Sequence, residues 1–255
     1  MLDVHFHSDA LHREMSYRVF LPTNLPANQK LPVVYLLHGG GDDFHSWSNR
    51  SPVAQFASKG LILVMPEGGE SYYMNEIESP QDRYEDYITR DLIADVERRF
   101  PARNDREGRA VIGISMGGFA ALKYALSQPE VFGFVGALSP PIDVPSRRFN
   151  INRIGQWWKF RTIFGPADSN ERASRDPSKL VFTANPRVTP YIYMTAGEQE
   201  PLLGPIRRFA QLLKQRSIAY EFRTQSGGHD WGEWNRQIPG CFASLFQHLS
   251  LKTAD

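Results

Sequence analysis

The sequence predicts an α/β fold in which a mostly parallel central sheet is covered by helices on both faces. Two continuous apolar runs, 33–37 and 61–65, are bounded by Pro and Gly, which is typical of strands that are buried on both faces. Such runs alternate along the chain with segments whose apolar residues recur at helical spacing. This alternation predicts parallel strands joined by helical crossovers.

The other elements are predicted in order from the same patterns. An early strand at 15–21 alternates apolar and polar residues and ends at Pro22. A helix at 84–100 stops before Pro101. Further strands are predicted at 109–114, 132–138, 191–195 and 219–223, and further helices at 116–127, 203–216 and 235–249. We find no repeat and no flexible linker, so one domain is expected over 1–255.

The segment at about 141–187 interrupts the alternation. It is rich in Arg and Pro, and its apolar residues predict a short helix at 154–160. A connection of this length is usually functional or has structure of its own, so it is either a cap-like insertion over a substrate site or a surface excursion with one packed helix. Nine Lys and Arg against four acids make it locally basic, which would favour a substrate with an acidic group.

Composition excludes several classes of protein. The 255 residues contain 29 Lys and Arg against 28 Asp and Glu, so a net charge of +1 gives no reason to expect a nucleic-acid partner. The single Cys241 provides neither an intramolecular disulfide nor a cysteine zinc site. No apolar run approaches the roughly 20 residues of a membrane span. The first residues lack a signal-peptide pattern, so the cytoplasm is the default expectation, and secretion applies if a leader was removed.

The strongest motif is Gly113-Ile-Ser115-Met-Gly117, which lies between a predicted strand and a predicted helix. At such a turn the serine adopts a strained backbone conformation, and the glycines remove Cβ atoms that would clash. The hydroxyl then stands clear of the sheet at a helix N-terminus. The pattern predicts a nucleophilic serine at Ser115.

A serine nucleophile needs a base, and the base needs a carboxylate. His229 follows the final predicted strand, so it should reach the same sheet edge as Ser115. In hydrolases with this serine turn the chain order is serine, acid, histidine, which places the acid after the strand at 191–195. That loop offers Glu200 as the first choice and Glu198 as the alternative.

The oxyanion of a tetrahedral intermediate requires two donors. The backbone N–H of Met116 is the first, because it follows the nucleophile. The second is expected from the glycine run after the strand at 33–37, with Gly40 as the best candidate. His38 precedes this run and is expected to shape the loop by hydrogen bonding.

These residues resemble those of the α/β-hydrolase superfamily. Within it the chain is similar to the esterase family of S-formylglutathione hydrolases, tributyrin, feruloyl and acetyl-xylan esterases and mycobacterial antigen 85 mycolyltransferases. The resemblance runs from about residue 11 to 249 and rests on His38-Gly-Gly, Tyr84-Glu-Asp-Tyr87, Gly113-Ile-Ser-Met-Gly-Gly118 and Gly227-Gly-His-Asp-Trp231.

The resemblance implies roles for individual residues. Ser115 is then the nucleophile and His229 the base, with Gly40 and Met116 as oxyanion donors. The family's acid is usually an Asp three residues after a Gly, and counting from Gly197 that position is Glu200. The longer side chain requires either that the loop sits back or that the carboxylate approaches at another angle. The cysteine-bearing loop typical of S-formylglutathione hydrolases is not found, which disfavours glutathione thioesters.

The sequence therefore predicts a serine carboxylesterase that hydrolyses short-acyl or aromatic esters, including esters linked to carbohydrate. Neither metal nor cofactor is expected, and the expected partner is a small-molecule ester; the oligomeric state is left open. An acyltransferase with the same triad and a non-catalytic binding module are the alternatives. Expected substrate contacts are Trp47, Tyr72, Tyr73, Asn75 and Trp157.

Overall fold

The computed structural model describes residues 1–23, 29–147 and 154–249, and its framework is an eight-stranded sheet of order β1-β2-β4-β3-β5-β6-β7-β8. Strands β3 to β8 are parallel, and β1 and β2 join them antiparallel at one edge. The strands are β1 (Leu2–Ser8), β2 (Arg13–Phe20), β3 (Val33–Leu37), β4 (Ile62–Pro66), β5 (Arg109–Ile114), β6 (Phe134–Leu138), β7 (Tyr191–Gly197) and β8 (Tyr220–Gln225). The predicted α/β-hydrolase architecture is confirmed.

Helices connect the parallel strands. They are α1 (Ser46–Arg50), α2 (Ala54–Ala57), α3 (Tyr84–Asp86), α4 (Ile93–Arg99), α5 (Met116–Ser127), α6 (Ile154–Phe164), α7 (Asn170–Ala173), α8 (Pro177–Leu180), α9 (Leu203–Gln215) and α10 (Trp231–His248). A π-helical stretch at Tyr87–Leu92 joins α3 to α4, so the helix predicted at 84–100 is present but not uniform. None of the helices within the described ranges is long and apolar enough to cross a membrane.

Two hydrophobic cores lie on opposite faces of the sheet. Tyr35 of β3 belongs to the core that contains Phe119 of α5 and Phe209 of α9. Its neighbour Leu36 belongs to the other core, in which Phe242 of α10 takes part. Successive strand residues point to opposite faces. The fully apolar pattern of β3 therefore follows from burial on both sides.

Strand β1 and helices α10 and α6 show the clearest differences from the sequence prediction. Strand β1 was not predicted, although its inward-facing Phe6 alternates with exposed histidines. Helix α10 begins four residues earlier than predicted, because the Asp230 side chain accepts a hydrogen bond from the Glu233 N–H at 3.0 Å and caps the helix. Helix α6 continues to Phe164, four residues beyond the predicted end, and buries Phe160, Ile163 and Phe164.

The described part of the segment at 141–187 consists of short helices joined by turns. It contains a 3₁₀ turn at Val144–Ser146 and helices α6, α7 and α8. The N–H of Ile77, in the loop after β4, donates to the Thr162 carbonyl of α6 at 2.9 Å. The segment at 141–187 is thus attached to the loop after β4. Its residues 148–153, which include the basic Arg148 and Arg153, lie outside the described residues.

The turn between β5 and α5 has the conformation that its glycines predict. Ser115 has φ 48° and ψ −114°, a backbone conformation that is rare outside glycine. A Cβ on Gly113 would lie 2.1 Å from the carbonyl carbon of Gly117, and a Cβ on Gly117 would lie 2.4 Å from the Leu37 oxygen. Both positions require glycine because backbone atoms approach too closely for any side chain.

We expect Gly117→Ala to lower the free energy of unfolding by about 1–3 kcal/mol or more, since the added methyl meets backbone rather than a movable side chain. Gly155→Ala in α6 is the matched control, because a Cβ there would meet nothing within 4 Å. That variant should be as stable as the parent or slightly more stable. Urea unfolding of both variants checks this, and equal stabilities would contradict the packing argument.

Candidate active site

Three side chains at the carboxyl edge of the sheet form a continuous hydrogen-bonded chain. The Ser115 hydroxyl follows β5, and its Oγ lies 2.9 Å from Nε2 of His229. Nδ1 of His229, in the loop after β8, lies 2.8 Å from Oε2 of Glu200, which follows β7. The carboxyl ends of parallel strands meet at one edge, so three distant parts of the sequence converge there.

The contacts of His229 define which nitrogen carries the proton. Nδ1 donates to the Glu200 carboxylate, so in the neutral ring Nε2 has the lone pair that faces the Ser115 hydroxyl. The ring packs edge-on against Trp234, with centroids 5.2 Å apart. Its side chain is 32% exposed. The imidazole is therefore oriented for proton transfer and is open to solvent on one side.

Glu200 meets the geometry usually provided by a shorter aspartate by folding back on its own turn. Its side chain is fully buried, and its Oε1 accepts a hydrogen bond from the Gly197 N–H at 3.1 Å. The Glu200 N–H donates to the Gly197 carbonyl at 3.3 Å, which closes the turn. The alternative acid, Glu198, is exposed. Of the two candidates, the structure brings Glu200 to His229.

The loops that carry Glu200 and His229 are joined directly. The Gln199 N–H donates to the Gly227 carbonyl at 3.0 Å, and the Gly227 N–H donates in return to Oε1 of Gln199. A Cβ on Gly197 would lie 2.4 Å from the Gly227 oxygen. Sequence reasoning missed Gln199, because its side-chain contact is with a residue 28 positions away.

The glycine run after β3 borders the serine. A Cβ on Gly39 would lie 3.5 Å from Cβ of Ser115, and Gly40 is exposed to the cleft. Met116 is the first residue of α5, so its N–H has no partner within the helix. Gly39 and Met116 thus both adjoin Ser115, and Gly40 opens on the same cleft.

His38 has the structural contacts that its position predicts. It is completely buried, and its Nδ1 lies 2.8 Å from the Gly39 carbonyl. Its Nε2 accepts a hydrogen bond from the Gly68 N–H at 3.0 Å, so the ring bridges the glycine run and the loop after β4.

A cleft of about 610 Å³ opens over Ser115 and His229. Its walls include Asp42, Arg50 and Trp231, none of which sequence reasoning selected. Asp42 holds the other two, accepting from Arg50 Nη1 at 3.0 Å and from Trp231 Nε1 at 3.2 Å. Trp231 could have been predicted to line the cleft from the sequence, because it follows the candidate base His229 by only two residues.

For two of the five expected substrate contacts the prediction is wrong, because their side chains are buried. Trp47 and Tyr73 have no exposed surface. Trp47 packs edge-on behind Trp231, with ring centroids 5.5 Å apart. The Tyr73 hydroxyl donates to the His38 carbonyl at 3.3 Å, and burial raises its pKa so that it stays protonated. Both rings support the cleft from behind.

The other three expected contacts do not line this cleft either. Tyr72 packs edge-on against Phe119, with centroids 5.7 Å apart. Asn75 accepts a hydrogen bond from the Asp86 N–H at 3.2 Å through Oδ1. Trp157 lies on α6 beside Trp158, with centroids 4.9 Å apart. Aromatic and amide residues after β4 serve packing and loop shape here.

Three of the seven basic residues in the described part of the segment at 141–187 form ion pairs with acidic side chains. Among its described residues, Lys159 and Arg161 pair with Glu70 and Glu78 of the loop after β4. Arg147 pairs with Asp143 at 3.1 Å. The cleft has no lining residue from the described part of this segment. The described basic residues of this segment therefore do not contact a substrate bound in this cleft.

The single cysteine and the metal-binding side-chain types offer no second reactive centre in the described part of the chain. Cys241 is fully buried, and burial raises the pKa of its thiol, so little thiolate forms. Within residues 1–23, 29–147 and 154–249 there is no group of three or more His, Cys, Asp or Glu side chains placed to hold a metal ion.

The sheet, the serine turn and the hydrogen-bonded side chains define a serine hydrolase of the α/β-hydrolase class. Residues 8–245 match the family model described as "Putative esterase", and the chain belongs to this esterase family. It is accordingly a carboxylic ester hydrolase.

Individual relatives agree with this family. The acetyl esterase of Caldicellulosiruptor saccharolyticus is 24% identical over 95% of this chain and 96% of its own length. The diacylglycerol acyltransferase/mycolyltransferase Ag85A of Mycobacterium leprae is 26% identical over 86% of this chain and 76% of its own. The solved structure of Staphylococcus aureus FphF, a fluorophosphonate-binding serine hydrolase, has a TM-score of 0.83 at 23% identity, covering 96% and 97% of the two chains. The structural likeness supports the fold.

Glu200→Gln should lower kcat by about 100- to 10,000-fold. The amide oxygen can retain the bond from Gly197, but the amide N–H would then face Nδ1 and favour the wrong imidazole tautomer. Glu198→Gln is the matched control and should leave kcat within about twofold, because that side chain is exposed. Steady-state ester hydrolysis compares them, and a larger loss in Glu198→Gln would reverse the choice of acid.

Proposed function

We propose that this protein is a serine carboxylesterase that works through an acyl-enzyme formed on Ser115. The observation that carries the proposal is the unbroken chain from the Ser115 hydroxyl through His229 to the buried Glu200 carboxylate. A serine hydroxyl is a poor nucleophile unless an adjacent base removes its proton. The arrangement supplies that base and the carboxylate that holds it.

In the first half-reaction, Oγ of Ser115 attacks the ester carbonyl while Nε2 of His229 takes the hydroxyl proton. The Glu200 carboxylate stabilises the imidazolium that forms. The backbone N–H groups of Gly40 and Met116 donate to the oxyanion of the tetrahedral intermediate. The intermediate collapses when the imidazolium protonates the leaving alkoxide, which releases the alcohol and leaves an acyl-serine.

In the second half-reaction, water replaces the alcohol. The exposed side of His229 gives water a route to Nε2, which removes a proton from it as it attacks the acyl-serine. Collapse of the second tetrahedral intermediate returns the proton to Ser115 and releases the acid. In each half-reaction His229 thus acts first as a base and then as an acid, and the oxyanion donors act in both.

We propose short-acyl or aromatic esters, including esters linked to carbohydrate, as the substrate class. Trp231 and Trp234 both line the cleft, and the partly exposed indole of Trp231 offers an apolar surface for a small acyl or aryl group. Asp42 and Arg50 provide polar atoms at the same cleft for a hydroxyl-bearing alcohol. The similarity to an acetyl esterase over nearly the full chain supports a short acyl group.

Acyl transfer to an alcohol is the second candidate, since the Ag85A relative is described as an acyltransferase. It would use the same acyl-serine, with an alcohol in place of water. The non-catalytic alternative rested on the presence of Glu in place of Asp. The 2.8 Å contact of Glu200 with His229 removes that support.

A fluorophosphonate probe should label the folded protein at Ser115 and not label Ser115→Ala, because the reaction needs an activated serine. Ser226→Ala is a control from the exposed loop before His229 and should be labelled like the parent. Mass spectrometry of the labelled peptide identifies the site. A folded parent protein that resists labelling would refute the proposed nucleophile.

Product analysis with a short-acyl ester and an added small alcohol separates the two enzyme reactions. We expect the free acid to dominate, because water reaches the exposed side of His229. An excess of the exchanged ester over the acid at moderate alcohol concentration would instead favour the acyltransferase.

A further inference from the structure

The loop after β4 holds the glycine run 39–41 at two points. The first is the bond from the Gly68 N–H to the ring of His38, just before the run. The second is at its far end, where the Gly41 N–H donates to Oε1 of Glu70. Gly40, the proposed oxyanion donor, lies between these two anchors. Its orientation therefore depends on residues outside the hydrogen-bonded triad.

Glu70 also faces Gly40 itself. A Cβ on Gly40 would lie 3.5 Å from each of the two carboxylate oxygens. Burial acts to raise the pKa of Glu70, but hydrogen bonds from Lys159 and from the Gly41 N–H outweigh it and hold the pKa below its usual value. The group is thus a carboxylate at neutral pH. An unbalanced negative charge here would oppose the negative charge that develops on the oxyanion.

Lys159 of α6 supplies the balancing charge. Its Nζ lies 2.5 Å from Oε2 of Glu70, while Oε1 is occupied by the Gly41 N–H. The two side chains are 36% and 51% exposed, and ion pairs of this kind add little to overall stability. The effect of this ion pair is therefore expected at the neighbouring oxyanion donor rather than in the stability of the fold.

We propose that Glu70 is a positioning residue that orients the Gly40 oxyanion donor through Gly41, and that Lys159 neutralises its carboxylate so that the oxyanion is not destabilised. The inference rests on the proposed function, since it assigns Gly40 that role. The Glu70 carboxylate thus has two roles, as a hydrogen-bond acceptor for Gly41 and as a negative charge. Substitutions can separate these two roles.

The role of Glu70 as hydrogen-bond acceptor for the Gly41 N–H is tested by comparing Glu70→Ala with Glu70→Gln. The alanine variant should lose at least about tenfold in kcat on p-nitrophenyl acetate, short of the roughly 100- to 1,000-fold that removal of an oxyanion donor costs. The glutamine variant keeps an oxygen for Gly41 and should recover most of that loss. Equal losses in both variants, or none in the alanine variant, would overturn the positioning role.

The charge is tested by Lys159→Met in two backgrounds. With Glu70 present, the unpaired carboxylate should lower kcat several-fold while KM changes little. In the Glu70→Gln background the same substitution should have little effect, because no charge remains to be balanced. A loss of the same size in both backgrounds would show that Lys159 acts only through the packing of α6, and would overturn the charge role.

Glu78→Ala is the matched control for attachment of α6. It breaks the Arg161–Glu78 ion pair, 2.8 Å long, between the same helix and the same loop, without touching Gly41. It should leave kcat unchanged. If it lowers kcat as Glu70→Ala does, the effect belongs to helix attachment and the proposal fails.

A measurement without turnover keeps this test separate from the proposed esterase function. Hydrogen exchange of the peptide that contains residues 38–44 should speed up in Glu70→Ala and stay near the parental rate in Glu70→Gln, since only the former frees the Gly41 amide. Unchanged exchange in the alanine variant would refute the anchor. Failure of the esterase proposal appears instead as parental hydrolysis that survives Ser115→Ala.

Discussion

The strained turn at Ser115 is the constraint on which the site depends. A non-glycine residue at φ 48° costs on the order of 1–3 kcal/mol, which the surrounding structure must offset. The Ser115 N–H is held by the Leu138 carbonyl of β6 at 2.8 Å, and Gly117 sits against Leu37 of β3. The nucleophile is thus fixed by β5, where it follows the last residue, and by the neighbouring strands β3 and β6, which are fully buried.

The acid and the base are held in a different way, by one loop against another. The backbone of Gly227 approaches Gly197 so closely that Gly197 tolerates no side chain, and Gln199 closes the contact with two hydrogen bonds to Gly227. Glu200 is then buried behind His229 with one carboxylate oxygen satisfied by its own turn. Because the partners are fixed before a substrate arrives, little reorganisation is needed during proton transfer.

The segment at 141–187 is connected to this site through charge and backbone contacts rather than through the cleft wall. Its helix α6 meets the loop after β4 at Lys159–Glu70, Arg161–Glu78 and Thr162–Ile77. That same loop holds the glycine run beside Ser115. Lys159 and Arg161 of α6 therefore serve as counter-charges for acidic side chains of that loop.

The sequence by itself determined the fold class, the serine turn and the places of Ser115 and His229, because strand and helix periodicity and the Gly-x-Ser-x-Gly spacing are local patterns. It narrowed the acid to two glutamates, and only the tertiary structure brings Glu200 rather than Glu198 to the ring. The tertiary structure also determines which residues line the cleft, since Trp47 and Tyr73 are buried while Trp231 lines it. Exposure and charge pairing depend on contacts between residues far apart in the chain, and no local pattern encodes them.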